Sequence, residues 1–294
     1  MIYSVRHKTT YRYEASVEYA RCVLRLTPAT SRTQTVLESR IHVSPVPAQS
    51  DWRIGSFGER MTTVLIDRPH KLLSIEARSR IDVHSVRPQL PFDSPNWEAI
   101  RALAMVETGL GPDSPASYLY PTARTPVLPA ITDYARASFT PGRPIIAAAA
   151  ELTKRIHADF TYDRKATDVA TPAAASFAAR RGVCQDFAHI MIAGLRGLGL
   201  PAAYVSGYLR TVPPPGRPRL EGADATHAWT SVWCGSDYGW VGFDPTNACP
   251  AQDDHLILAT GRDYGDVAPI EGIILAPGRQ MLKVEVDVVP QDEV

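Results

Sequence analysis

The hydrophobic and polar positions of this chain change period along its length. Up to about residue 87 the pattern is that of strands. Ile2-Tyr3-Ser4-Val5, Thr10-Tyr11-Arg12-Tyr13, Val17 to Leu26, Thr35 to Val43, Arg60 to Ile66 and Leu73 to Val83 are separated by turns bearing Pro and Ser. In the last run Ile75, Ala77, Ile81 and Val83 fall on alternate positions, the spacing that sends one row of side chains to one face of a sheet. Strands of this length and number predict an antiparallel β-sandwich over residues 1–87.

From Pro88 to Pro144 the chain carries ten of its 25 prolines, which predicts a partly helical connector over 88–144. Ser94-Pro95 has the form of an N-cap followed by proline at the first helical position, and a second short helix is expected over Ala130–Phe139. Beyond it the period becomes helical. Ile145, Ala149, Leu152 and Ile156 form one stripe, and Thr171-Pro172 predicts the opening of a helix over 173–180, with Gly182 as its left-handed stop. The next helix begins at Cys184. Its Phe187, Ile190, Met191, Gly194, Leu195 and Leu198 recur at three and four, and Gly199 and Pro201 end it.

Ala202–Leu209 has the composition of a buried strand, residues 211–222 that of a Pro-rich loop, and strands are expected over 226–234 and 239–244. In the tail Leu282, Val284, Val286 and Val288 alternate with charged positions and are expected to point inward. Helices followed by strands make residues 145–294 a second domain of α+β type.

Three short segments of this second domain carry chemistry. Cys184 stands where a buried helix starts, so unpaired amides and the positive end of the helix dipole favour its thiolate and offer donors to an oxyanion. His227 opens a strand, and Asp244 ends the next. A two-residue turn at Gly235-Ser236 would set Asp244 directly across from His227. A four-residue loop would slip the register by two and leave them diagonal neighbours. Either way a carboxylate accepts from one ring nitrogen and fixes the tautomer, so that the other nitrogen faces sulfur. A zinc site from Cys184, Asp186, His189 and His227 is disfavoured, because His189 lies off the helical face of Cys184 and no second cysteine pair exists. Asp186, in the first helical turn, is expected to be a cap or dipole partner, and His189 a structural residue.

Composition narrows the classes further. The 294 residues, 45% hydrophobic and 21% charged, can bury a large core. Lys+Arg and Asp+Glu both number 31, so no charge footprint points to nucleic acid or an anionic membrane surface. Arg6, Lys8, Arg12 and Glu14 interrupt the first twenty residues, where a secretory signal would need an apolar run. Four cysteines with no CxxC pair suit a reducing compartment, and a cytoplasmic location is expected.

Read together, Gly182-Val183-Cys184-Gln185-Asp186-Phe187-Ala188-His189, Leu198-Gly199-Leu200-Pro201, Val205-Ser206-Gly207-Tyr208-Leu209, Asp224-Ala225-Thr226-His227-Ala228-Trp229, Gly242-Phe243-Asp244-Pro245-Thr246-Asn247 and Gly261-Arg262-Asp263-Tyr264 resemble the bacterial transglutaminase-like family. Tyr11-Arg12-Tyr13 and Leu24-Arg25-Leu26-Thr27-Pro28 resemble the β-sandwich region that precedes the core in that family. The resemblance implies a papain-like core, with the Cys184 helix packed on an antiparallel sheet bearing His227 and Asp244 as base and orienter. Thr226 replaces a Ser common before this histidine and keeps the hydroxyl. The implied reaction is acyl transfer from a peptide or amide substrate through a thioester, with hydrolysis favoured over transfer to an amine, and a non-catalytic scaffold as the remaining reading. Gln185, Tyr162, Trp229 and Asp263 are further candidates for the oxyanion site or the pocket. Neither cofactor nor metal is expected.

Overall fold

The computed structural model describes residues 1–84, 93–211, 225–275 and 278–291. The chain opens with six strands, β1 (Ile2–Val17), β2 (Tyr19–Leu24), β3 (Gln34–Ser44), β4 (Gln49–Ile54), β5 (Arg60–Ile66) and β6 (His70–Val83). Helices α1 (Trp97–Val106) and α2 (Pro129–Arg136) flank a 3₁₀ turn at Pro115–Tyr118. Then come α3 (Ile145–Asp159), β7 (Thr161–Tyr162), α4 (Ala173–Ala179), β8 (Arg181–Gly182) and α5 (Cys184–Gly197). The last third holds β9 (Ala202–Leu209), β10 (Ala225–Trp233), β11 (Trp240–Asp244), β12 (Cys249–Pro250), β13 (His255–Gly261), α6 (Tyr264–Val267), β14 (Ile270–Leu275) and β15 (Gln280–Pro290).

Two four-stranded antiparallel sheets, ordered β15-β1-β6-β3 and β14-β2-β5-β4, close on one core of Tyr3, Val5, Cys22, Leu24, Ile66, Ile75, Ile81 and Val288. This is the expected sandwich, with one correction to the domain boundaries. β14 pairs with β2 and β15 pairs with β1, so the end of the chain returns to the first unit and residues 145–294 are not all one domain. The expected boundary at 87/88 lies outside the described residues. So does most of the 211–222 loop, including its Pro213-Pro214-Pro215-Gly216 run.

Periodicity misled at two strands. All six residues of β4 are exposed at a sheet edge, so the strand has no buried row to produce an alternation. Of the four alternating apolar residues of β15 only Val286 and Val288 are buried, whereas Leu282 and Val284 remain exposed on the outer part of another edge strand.

The second unit sets helices against the five-stranded antiparallel sheet β12-β11-β10-β9-β13. α5 is its central helix, and every residue from Gln185 to Arg196 is buried. Ala188, Met191 and Leu195 pack with Ala202, Tyr204, Ala228 and Val232 of the sheet, and with Ile131, Ala149 and Leu152 of α2 and α3. Tyr208, Leu256 and Leu258 of the same sheet join the sandwich core, which ties the two units together.

The caps differ from the expected ones in an instructive way. α1 is capped by Asn96, whose side chain accepts from Ala99 N–H at 2.8 Å. Ser94 accepts instead from the Ile146 N–H of α3, 3.3 Å away. The left-handed residue after α4 is Arg180 (φ 52), and Gly182 pairs with Tyr162 in the short β7–β8 ladder. The connector is docked on the core. Arg196 of α5, only 4% exposed, donates to the carbonyls of Tyr118, Ala202 and Arg262 and to the Thr125 hydroxyl at 2.7 to 2.9 Å. None of the described helices is long and apolar enough to cross a membrane.

Replacing Arg196 by Met leaves those buried acceptors unpartnered, and the expected cost is about 3–5 kcal/mol, read from the urea unfolding midpoint.

Candidate active site

Cys184 is the first helical residue of α5, after Val183 in an extended conformation. The first intrahelical bond runs from Phe187 N–H to Val183 C=O, so the amides of residues 184–186 have no acceptor within the helix. Asp186 secures this end. Its Oδ2 accepts from Val183 N–H at 2.8 Å and from the Thr167 hydroxyl at 2.7 Å, which is the expected capping role. Burial pushes its carboxyl up, against the pull of these two donors.

His227 and Asp244 reach the same place from β10 and β11. The pairs Thr230↔Phe243 and Trp233↔Trp240, with Cys234 N–H bonded to Gly239 C=O, define a loop of four residues, Gly235 to Tyr238. The tight-turn alternative is therefore excluded, and His227 and Asp244 are diagonal neighbours. His227 Nε2 stands 2.7 Å from Asp244 Oδ2, and Cys184 is the other side chain that acts on the charge of the imidazole. Burial opposes charge on His227, yet the hydrogen bonds and negative potentials of Asp244 and Cys184 outweigh it and raise its pKa well above the ordinary imidazole range. For Asp244 burial likewise works against ionisation. Bonds from His227, His255 and Asn247 prevail and hold the carboxyl well below its usual range.

Packing fixes these positions. Gly207 pairs with His227 across β9 and β10, and a Cβ there would lie 2.2 Å from Leu256 O and 2.5 Å from the Trp229 ring. The missing side chain lets the indole lie against the sheet, 6.1 Å from the His227 ring and 5.2 Å from that of His255.

The remaining candidates separate cleanly. Trp229 is 2% exposed and packs beneath the histidines, so it does not line a pocket. Gln185 is buried and donates its side-chain amide to Val169 O at 3.3 Å. Asp263 is buried and caps α6 by accepting from Gly265 N–H at 2.7 Å, so it does not form a rim. Tyr162 alone is solvent-facing, 47% exposed, with its ring 6.5 Å from Phe187 of α5. His189 is structural, as expected: its Nε2 accepts from Tyr264 N–H at 3.2 Å.

Two participants escaped the sequence reading, His255 and Asn247. His255 Nε2 lies 3.0 Å from Asp244 Oδ2, and Asn247 Nδ2 lies 2.6 Å from the same oxygen. Asn247 was visible in the Gly242–Asn247 motif, and a histidine heading the apolar run Leu256-Ile257-Leu258 was the available signal for the other. Among the described residues, His227, Asp244 and His255 form the one cluster whose ligand atoms lie close enough to surround a cation, all within 4.8 Å of one another. Their spacings are those of N–H donors on a carboxylate, and Asn247 occupies the same oxygen, so the cluster acts as a hydrogen-bonded network.

His189 makes one pH effect predictable. Burial, with nearby Arg124 and Arg196, pushes it down to about 4 against the pull of Asp263. The unfolded chain therefore takes up a proton from about pH 6.5 downward that the fold resists, and stability is lost as pH falls through that window. The expected contribution is about 2 kcal/mol less stability at pH 5 than at pH 7. Urea midpoints at the two pH values, compared with those of His189→Gln, check it.

Comparison with known proteins agrees with this architecture. Residues 3–82 match the family described as the bacterial transglutaminase-like N-terminal region, and residues 132–245 match the transglutaminase-like superfamily. An uncharacterized protein of Mycobacterium tuberculosis (strain ATCC 25618 / H37Rv) is 39% identical, covering 98% of this chain and 92% of its own. An uncharacterized protein of Mycobacterium leprae (strain TN) is 31% identical, with 97% of each chain covered. The crystal structure of "a Putative Cysteine Protease from Cytophaga hutchinsonii" superposes with a TM-score of 0.75 at 20% identity, covering 99% of this chain and 92% of that one. That likeness shows a common fold, with a papain-like α+β core.

Proposed function

The chain belongs to the bacterial transglutaminase-like family, and from that premise we propose that it performs thiol-based acyl chemistry on an amide, with Cys184 as nucleophile, His227 as general acid and base, and Asp244 as orienter. One observation carries the reading. The His227 imidazole is hydrogen bonded to a buried carboxylate, and the cysteine at a helix start is the other side chain that raises its affinity for a proton. With Nε2 committed to Asp244, Nδ1 is the nitrogen left for sulfur.

In the first half-reaction the Cys184 thiolate attacks the amide carbon, and the carbonyl electron pair moves to oxygen. The Cys184 N–H at the start of α5 is the first donor to that oxyanion, and the exposed Tyr162 is the candidate for a second. The intermediate collapses as the C–N bond breaks, and His227 gives its proton to the departing amine. A thioester remains on Cys184. Water, deprotonated by His227, then attacks the thioester and releases the acid, and the thiolate and imidazolium are restored. An amine in place of water would release a new amide. Hydrolysis is the favoured outcome, on a peptide or similar small amide.

At pH 6 iodoacetamide is expected to alkylate Cys184 rapidly, and His227→Ala to slow this at least about tenfold. Equal labelling of the two proteins would leave a scaffold on the same fold. Cys184→Ala is expected to lose all turnover while its urea midpoint stays within about 1 kcal/mol of the parent. Mass spectrometry of a glutamine-containing peptide incubated with a primary amine decides the second half-reaction. Deamidation or cleavage without amine incorporation supports hydrolysis, and incorporation overturns it.

A further inference from the structure

We propose that His255 is a positioning residue of this site, clamping the Asp244 carboxylate against His227 by donating its Nε2–H to the oxygen that His227 also uses. The inference rests on the reading of Cys184, His227 and Asp244 given above.

Asp244 is fully buried, and both of its oxygens are saturated. Oδ1 accepts from the backbone N–H groups of Thr246 (2.9 Å) and Asn247 (3.2 Å), in the turn that leaves β11. Oδ2 receives three side chains: Asn247 at 2.6 Å, His227 at 2.7 Å and His255 at 3.0 Å. Two imidazoles thus converge on one oxygen. A structural aspartate at a turn has no use for that arrangement, since the two amides already satisfy the turn.

The proton on His255 is placed by its surroundings. Its Nδ1 accepts from Gln252 N–H at 3.2 Å, so that nitrogen carries a lone pair and the ring proton sits on Nε2, pointing at Asp244. A proton on Nδ1 would face the amide hydrogen. His255 is therefore built as a neutral donor and does not compete with His227 as a base. Its ring is also held from behind. Trp229 meets it edge-on at 81°, and His255 N–H bonds to Gln252 C=O at 2.8 Å.

The consequence is mechanical and electrostatic. The two backbone donors grip only Oδ1, and Asn247 lies 3.5 Å from His227 Nε2, so rotation of the carboxylate about its last bond is restrained by what stands on Oδ2. His255 and Asn247 together keep that oxygen in line with His227. A donor withdrawn from a desolvated carboxylate also raises its affinity for a proton, which weakens its hold on the imidazolium.

Three variants in the full chain test this: His255→Leu, which cannot donate; His255→Gln, whose amide reaches the Nε2 position; and His255→Asn, whose amide stops short of it. The readouts are the rate of Cys184 alkylation by iodoacetamide between pH 5 and 9, the downfield proton resonance of His227 Nε2–H, and the urea midpoint. His255→Leu and His255→Asn are expected to lower the pH 6 alkylation rate about tenfold and to move or broaden the resonance, while His255→Gln restores both to within about threefold of the parent. An unchanged rate and resonance in His255→Asn would overturn the proposal. So would a His255→Gln variant as slow as His255→Asn, which would make the ring a packing element; this comparison stands even where His255→Leu does not fold. Should the parent thiol alkylate slowly and regardless of His227→Ala, the proposed function fails, and the resonance still decides the role of His255.

Discussion

A carboxylate with no exposed surface is the constraint on which this molecule is built. Asp244 could not remain ionised there without donors on both oxygens, and the fold supplies five of them. They come from the start of β10, the start of β13 and the turn after β11, so one charge fixes the relative placement of three chain segments. The His227 imidazole is the other half of the arrangement, and the sulfur at the head of α5 is the group it is proposed to serve. Asp244 and His227 stabilise each other, so loss of either leaves the other buried without its partner.

Around this network the two units divide the labour. α5 is buried along nearly its whole length, which fixes the height and direction of Cys184 against the sheet. The sheet is shared. Tyr204 and Val232 look toward the helices, while Tyr208, Leu256 and Leu258 enter the sandwich core. Arg196 then ties the connector to the second unit through three carbonyl oxygens and the Thr125 hydroxyl. The sandwich is closed by the last strands of the chain, and the strand β13 that carries His255 precedes them with only α6 between. The site is thereby held between parts of the chain that are far apart in sequence.

Much of this was legible in the residues. The helix that begins at Cys184 and the strand Ala202–Leu209 were marked by unbroken apolar spacing between a glycine and a proline, and the structure places both there. The meeting of His227 with Asp244 followed from one hairpin whose possible loop lengths all left the two side chains as neighbours. Local signals failed where the partner was remote. Ser94 had the form of a cap for the helix that follows it and caps α3 instead, because sequence does not say which orphan amides lie nearby in space.

The chain by itself determined its family, most of its elements and the cysteine, histidine and aspartate proposed as the site, because apolar period and strong short motifs are local properties. Only the tertiary structure decided that β14 and β15 finish the sandwich, and that β4 forms an edge without an alternating face. It alone brought His255, eleven residues beyond Asp244, onto the same carboxylate oxygen. Strand pairing and the demand of a buried charge for donors are settled by what packs nearby in three dimensions, and neither leaves a period in the sequence.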